Sequence, residues 1–215
     1  MKKSTRNSAV LVQTAIVIVA VFIATVPVAT AATGGSGQDS PAQISREFSA
    51  VPGQQISLDL QTGAGLTITG TDASVVSVTA TLGGRDGAKC RVDMNQTAAG
   101  IEVKSVYMGP GGGYSTNIEV DVQVPRQFSV TIRSAGGGIK LDNLEGSING
   151  TSGGGAIKIN NSKGSVSLST GGGAILVRDC ELDGTVTTGG GTVKIQNNRG
   201  NLTGSTGGGT VEYTN

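Results

Sequence analysis

The sequence predicts an all-β fold, a β-solenoid of about 18 residues per coil in which two parallel sheets enclose a thin core. Its main support is five Gly-Gly-Gly runs, separated by 17, 18, 18 and 18 residues, that begin at Gly136, Gly153, Gly171, Gly189 and Gly207. A fixed period of this kind is typical of solenoids, whose repeats stack on one another. A coil this short builds a long, flat surface and leaves no deep pocket. The period therefore favours binding over an extended surface rather than in a pocket.

Each repeat contains two segments in which apolar and polar residues alternate. The first is exemplified by Ile157-Lys158-Ile159 and the second by residues 165–169. Alternation with a period of two predicts a strand with one buried face. Between them lies a turn, residues 160–164, rich in Asn and Gly, which tolerate positive φ. The triple glycine closes the coil, and we expect its three residues without a Cβ to let the chain reverse sharply.

The alternation also predicts which residues stack in the core. Two columns of one sheet are Ile139/Ile157/Ile175/Val193/Val211 and Leu141/Ile159/Val177/Ile195/Tyr213; those of the other are Ile148/Val166/Leu202 and Leu168/Val186, with Gly150 and Gly204 filling the second.

The third repeat departs from this pattern. It carries the segment 178–184, with its glycine two residues later than in the neighbouring repeats. We therefore expect a longer turn that bulges out of the stack and carries Asp179, Glu181 and Asp183.

The chain divides into four parts. Residues 1–31 have the basic start, apolar stretch and Ala29-Thr30-Ala31 site of a cleaved export signal, with an uncleaved membrane anchor as the alternative. Residues 32–43 read as a flexible linker, residues 44–133 as an irregular β region containing the first coils and capping the stack, and residues 134–215 as the regular repeats. These features predict an exported protein of the periplasm or cell surface.

The amino-acid composition excludes some classes of function. Without Lys2, Lys3 and Arg6 the chain has 13 basic and 15 acidic residues, which argues against nucleic acid as a partner. The chain has no His, so Ser–His and Cys–His nucleophile pairs are excluded, and we expect no catalytic site, no cofactor and no metal site.

Two features leave alternatives open. Asp179, Glu181 and Asp183 fit a solvated acidic loop best, with sugar cleavage by paired carboxylates or weak Ca²⁺ binding as alternatives. Cys90 and Cys180 are candidates for a disulfide in an oxidising compartment, the alternative being two free thiols.

One surface pattern predicts a binding face. The outward positions of the second strand stack as Asn149/Ser167/Thr185/Thr203 and Thr151/Ser169/Thr187/Ser205, and a third column, Ser152/Thr170/Thr188/Thr206, leads into the glycines. The face is suited to glycans, another sheet or ice, although Ser and Thr are also ordinary residues on strand surfaces. The candidate binding residues are Thr151, Ser167, Ser169, Thr185, Thr187, Thr203 and Ser205. The opposite sheet carries Lys140, Lys158 and Lys194 in one column, interrupted by Leu176.

Three stretches of the chain carry a resemblance to a known family: residues 58–82, the run VDVQVPRQFSVTIRSAGGG and the repeated TGGG-x-[IV]-x-[IV] blocks. They resemble a bacterial family of exported β-strand-repeat domains known as putative adhesins. The resemblance covers about residues 44–215 and implies a β-solenoid and a setting in the cell envelope. It carries over no functional residues, and this chain has Gly-Gly-Gly where Gly-Ser-Gly or Gly-Asp-Gly is commoner in the family.

Together these observations predict an exported, non-enzymatic β-solenoid that presents a flat repetitive surface, as an adhesin or a binding or spacer protein of the cell envelope. The expected partner is a cell-surface glycan or an envelope protein, and no stable membrane span is expected once the signal is cleaved. The alternatives are a polysaccharide-active β-helix enzyme and an ice- or glycan-binding solenoid that uses the Ser/Thr face. The oligomeric state stays open.

Overall fold

β-Strands make up nearly all of the regular structure in residues 41–51, 53–111 and 113–214, the part of the chain that the computed structural model describes. The predicted signal and residues 32–40 of the predicted linker lie outside this part. Within it, no helix has the length and hydropathy that a membrane span requires. The strands are β1 (Ala42–Ser49), β2 (Gln55–Leu60), β3 (Gly65–Thr71), β4 (Val75–Gly83), β5 (Cys90–Thr97), β6 (Gly100–Tyr107), β7 (Asn117–Pro125), β8 (Ser129–Ser134), β9 (Ile139–Asp142), β10 (Glu145–Ser152), β11 (Ile157–Asn160), β12 (Lys163–Thr170), β13 (Ile175–Thr188), β14 (Val193–Asn198), β15 (Leu202–Thr206) and β16 (Val211–Thr214).

All of these strands belong to one hydrogen-bonded sheet. Its longest path contains 13 strands, in the order β1-β4-β7-β3-β9-β11-β13-β12-β10-β8-β2-β6-β5, and β14, β15 and β16 join it through β13 and β14. The sheet is mixed. Pairs in the middle of the path are parallel, whereas β1–β4, β4–β7 and β5–β6 are antiparallel.

The path curls until its two ends nearly meet. The guanidinium of Arg46 in β1 donates a hydrogen bond to the Met94 carbonyl in β5 at 3.0 Å, and the Gln96 side chain in β5 donates to the Ser49 carbonyl at 2.9 Å. At the other turn of the path, β13 pairs through its first residues with β11 and β14, and through its later residues with β12 and β15. The result is a nearly closed, barrel-like sheet.

The predicted fold class, a β-solenoid with two parallel sheets, is therefore wrong, although the fold is all-β. Two findings overturn it: β13 is continuous between the two sides, and antiparallel strands form both ends of the path. The glycine period covers only the last part of the chain and says nothing about pairing direction in the first half. Within the repeats the 18-residue period does set the strand register, since Ile157 pairs with Ile139 on one side and with Ile175 on the other.

The third repeat does not bulge. Its segment 178–184 lies within β13, and Cys180 and Leu182 are buried at 2% and 0% exposure. The chain turns the corner at Asp179, which has a φ of 53°. Because Cys180 and Leu182 both point into the core, the segment stays in the stack.

The core is aliphatic and follows the predicted columns until the last strand. Ile139, Ile157, Ile175 and Val193 are each buried, whereas Val211 and Tyr213 of β16 are 36% and 56% exposed. The Tyr213 hydroxyl accepts a hydrogen bond from the Gly204 amide of β15 at 2.8 Å. The ring of Tyr213 therefore bridges β16 and β15.

The triple glycines allow close packing of successive runs, as the run 171–173 shows. Gly171 and Gly173 lie so near the backbone of the preceding run that an added Cβ would come within 3.0 Å of a carbonyl oxygen, whereas a Cβ on Gly172 would meet nothing within 4 Å. None of these three residues has a positive φ.

Candidate functional site

The seven predicted hydroxyl residues form one exposed surface, which we call the hydroxyl face. They lie on neighbouring parallel strands β10, β12, β13 and β15, and the register aligns them in two rows. One row contains Ser167, Thr185 and Thr203, and the other contains Thr151, Ser169, Thr187 and Ser205. All seven are exposed. Neighbouring strands of a sheet lie about 4.8 Å apart, so each row offers hydroxyl groups at regular intervals.

The hydroxyl groups of this face are not used within the protein. Among the described residues, none of the seven side chains makes a hydrogen bond to another protein group, while Asn149 at the edge of the face donates to the Ser147 hydroxyl at 2.8 Å. A ligand could therefore bond to these groups by displacing water alone, without breaking an internal bond.

The hydroxyl face is slightly concave toward its β8 side. A shallow depression of about 460 Å³ is lined by residues of β8, β10, β12 and β13: Thr131, Ile132, Arg133, Asn149, Gly150, Thr151, Ser167, Leu168, Ser169, Thr185 and Thr187. Arg133 was missed in the sequence because β8 precedes the first triple glycine. The 18-residue register places it beside Thr151.

The third predicted column does not belong to this face. Ser152, Thr170 and Thr188 are buried, and their hydroxyl groups form hydrogen bonds to the backbone of the glycine runs. Thr170 donates to the Gly155 carbonyl at 2.8 Å, and Thr188 donates to the Gly173 carbonyl at 2.7 Å. The alternation of the strand explains this placement, because these residues follow an outward position and so point inward.

A second groove, of about 1010 Å³, runs along the corner of the stack, where β9 connects to β10, β11 connects to β12, and β13 bends at Asp179. Its corner residues Asn143, Asn161, Asp179 and Asn197 all have positive φ, between 48° and 57°. Their side chains bond along the stack: the Asn197 amide donates to Asp179 at 2.9 Å, for example. Asn and Asp are enriched in this backbone conformation, so the groove is built from turn residues.

The charges of this corner groove neutralise one another. Glu145, Lys163 and Glu181 lie in register on β10, β12 and β13, and Arg199 follows β14. Glu181 contacts Lys163 at 3.2 Å and Arg199 at 3.8 Å. All these side chains are well exposed, so each pair contributes little to stability. Their alternation favours the correct register over a shifted one.

The three acidic residues considered for catalysis or Ca²⁺ are all engaged in the protein. Asp179 accepts a hydrogen bond from the Asn197 side chain, and Glu181 forms the ion pairs of the corner. Asp183 accepts a hydrogen bond from the backbone N–H of Asn201 at 2.6 Å. Within residues 41–51, 53–111 and 113–214, no three His, Cys, Asp or Glu side chains converge as metal ligands would.

The lysine column lies on the outer face of the opposite side, as the alternation predicts. Lys140 and Lys158 are exposed neighbours, Leu176 follows them, and Lys194 forms an ion pair with Glu212 at 2.9 Å. The repulsion between the lysines is thus relieved at one end of the column only.

The two cysteines are buried free thiols, so the hypothesis of a Cys90–Cys180 disulfide is not met by the structure. Cys90 begins β5, and Cys180 lies in the middle of β13. Burial raises the pKa of both thiols. Neither thiol therefore has the exposure and lowered pKa that reactive cysteines have.

The glycine-rich segment 109–113 is flanked by stacked tyrosines. The rings of Tyr107 and Tyr114 lie 4.4 Å apart. The carboxylate of Asp86 accepts hydrogen bonds from the Lys89 ammonium at 2.8 Å and from the Ser115 amide at 2.9 Å, and these two bonds lower the pKa of Asp86 to about 2. Asp86 therefore fixes the C-terminal side of this loop.

Comparison with known proteins supports the fold and no more. A crystal structure of a putative cell adhesion protein from Clostridium sporogenes shares 13% identity with this chain, with a TM-score of 0.51, over 81% of this chain and 99% of that one. Crystal structures of putative adhesins from Parabacteroides distasonis (14% identity, TM-score 0.35, 80% and 97% of the two chains) and Bacteroides fragilis (15%, 0.34, 81% and 97%) align less well. No family model matches the chain, and no curated protein does. The Clostridium structure shows that this chain is similar in fold to a protein described as a cell adhesion protein.

Proposed function

We propose that this protein is an exported, non-enzymatic binding protein of the cell envelope, an adhesin or spacer that attaches to a cell-surface glycan through its hydroxyl face. The observation that carries the proposal is that seven exposed hydroxyl groups stand in register with no hydrogen bond to another described residue. Sugars are rich in hydroxyl groups, which donate and accept hydrogen bonds, and these side chains do the same.

The shape of the face favours an extended ligand over a small one. Pockets for small molecules are concave and enclose most of the ligand, whereas the depression on this face is shallow and open. Each contact with a hydroxyl group is weak, so affinity requires several of the seven side chains to contact the same glycan chain. The fold likeness to a protein described as a cell adhesion protein is consistent with this proposal.

The corner groove supports the alternative, a polysaccharide-active enzyme, less well. The carboxylates of Asp179, Glu181 and Asp183 are held by cations, amides and backbone groups of the same corner. Sugar cleavage by paired carboxylates needs two carboxyl groups that flank the glycosidic bond, whereas the Glu181 carboxylate is ion-paired with Lys163 and Arg199.

A triple substitution tests the proposal. Changing Thr185, Thr187 and Thr203 together to Val removes three adjacent hydroxyl groups from exposed positions without adding charge. The fold should persist, since surface substitutions usually change the free energy of unfolding by less than about 0.5 kcal/mol each. We expect attachment to insoluble cell-wall glycan, measured by co-sedimentation, to be lost.

A matched control places three valines on the other outer face. Thr69, Gln123 and Ser77 are neighbours on β3, β7 and β4, and all three point outward. The control should sediment with the glycan as the unchanged protein does. Attachment that survives the Thr185/Thr187/Thr203 change, with circular dichroism unchanged, would refute the proposed function.

A further inference from the structure

Arg133 is an exposed cation at the edge of the hydroxyl face without an ion-pair partner among the described residues. It lies on β8, in register between Thr151 of β10 and Asp59 of β2. The ion pairs in the described part of the chain use other basic residues, and the Asp59 carboxylate accepts a hydrogen bond from Gln61 at 2.9 Å. The five N–H donors of the Arg133 guanidinium are therefore open to a ligand.

The depression beside Arg133 is lined by neutral hydrogen-bonding groups, and Asp59, the acidic neighbour of Arg133 on β2, is not part of this lining. No Asp or Glu is among the side chains that line the depression, which holds Arg133 together with hydroxyl and amide groups such as those of Thr151 and Asn149. The depression therefore carries one positive charge at one end. From β8 to β15 the face crosses four strand spacings, about 19 Å at about 4.8 Å each.

We propose that the ligand of the hydroxyl face is an anionic glycan whose carboxylate binds Arg133 while its sugar hydroxyls bond to the Ser and Thr rows. This inference rests on the proposed function and names the class of its ligand. A planar guanidinium matches a carboxylate with two parallel N–H···O bonds, and such charge-assisted bonds are stronger than those between neutral groups. A uronic acid supplies this carboxylate on a sugar ring, so one residue of the glycan fixes the register of the chain on the face.

Two polymers that differ only in charge provide the test. Polygalacturonate carries a carboxylate on every sugar, and its methyl-esterified form carries neutral esters in the same positions. We expect the purified full-length protein, immobilised on a biosensor at low salt, to bind polygalacturonate at least tenfold more tightly than the ester. Raising the salt concentration should reduce this difference, because charge interactions at a surface are screened.

Substitution of Arg133 assigns the preference to this residue. Arg133→Gln should bind both polymers equally, and Arg133→Lys should keep part of the preference, since a point charge remains without the planar fork. Arg178→Gln is the matched control, because Arg178 is an exposed arginine on the opposite outer face. It should leave both affinities unchanged.

The outcomes separate this inference from the proposed function. Equal binding of the two polymers by the unchanged protein, lost in the Thr185/Thr187/Thr203 variant, would refute the anionic ligand and leave the hydroxyl face as the binding site. A preference that persists in Arg133→Gln would also overturn the inference, since the charge would then be recognised elsewhere. Absence of binding to both polymers would refute this ligand class, and the cell-wall co-sedimentation assay would decide separately on the hydroxyl face.

Discussion

In each glycine triplet after the first, the middle residue is free to change and the two outer ones are not, and single alanine substitutions should show the difference. In the run 171–173, an alanine Cβ at Gly173 would come within 3.0 Å of the Gly155 carbonyl oxygen, whereas one at Gly172 would meet no atom within 4 Å. The obstacle at Gly173 is backbone of the neighbouring strand connection. It cannot rotate away as a flexible side chain could.

The expected cost follows from this difference. Overpacking costs typically 1–3 kcal/mol, and we expect Gly173→Ala to lie at the upper end, about 3 kcal/mol, because backbone must move. For a domain of this size, 1 kcal/mol corresponds to about 2–4 °C in Tm, so the Tm should fall by about 6–12 °C. Gly172 does not have a positive φ, and alanine there should stabilise the protein by up to about 1 kcal/mol by restricting the unfolded chain.

Thermal and urea unfolding followed by circular dichroism measures both variants. The urea midpoint should fall for Gly173→Ala at an unchanged m-value, since the surface exposed on unfolding stays the same. Equal losses in the two variants, or a Gly173→Ala protein as stable as the original, would show that the close approach of successive runs is not what requires glycine.

Three further predictions concern the core, the thiols and the loop. Ile159→Asp buries a charge without a partner and should cost several kcal/mol; an unchanged Tm would place Ile159 on the surface and contradict the register. Cys90 and Cys180 should react slowly with a thiol reagent in the native protein, and two thiols should titrate in denaturant without reductant; fewer than two would contradict the free state. The Asp86 pKa is lowered from 3.8 to about 2, so its contribution to stability is full above about pH 4 and lost as the pH falls through about 2. Asp86→Asn should therefore reduce the fall in Tm between pH 6 and pH 2.5, and an equally large fall in the variant would refute this role.

Local structure in the second half of the chain followed from the sequence because side-chain alternation and a fixed period are local properties. The inward positions of Ile157, Ile159 and Ile175 and the outward positions of the seven hydroxyl residues were predicted correctly. The same alternation, applied one residue further, would have placed Thr170 and Thr188 inside.

The sheet as a whole could not be predicted from these patterns. Alternation predicts a strand but not its partner, so the antiparallel pairing of β4 with β1 and β7, and the approach of β1 to β5, had no signal in the spacing. The shifted glycine at Gly184 suggested a bulge, yet the apolar side chains of Cys180 and Leu182 provide inward positions that keep β13 continuous.

The proposed binding site could be predicted from the sequence in part. The hydroxyl rows are visible from the repeats, whereas Arg133 comes before the repeats begin. Counting back one period from Thr151 would have found it, because β8 pairs with β10 in the same register.

The most direct test of the account maps where a glycan binds. Amide chemical shifts of the isotope-labelled protein, recorded with and without soluble cell-wall glycan fragments, locate the contact surface residue by residue. We predict that the largest changes lie on β10, β12, the second half of β13, and β15, around Ser167, Thr185 and Thr203. Changes confined to the corner groove near Asn161 and Asn197, or to the loop 109–113, would contradict the claim that the hydroxyl face is the binding surface.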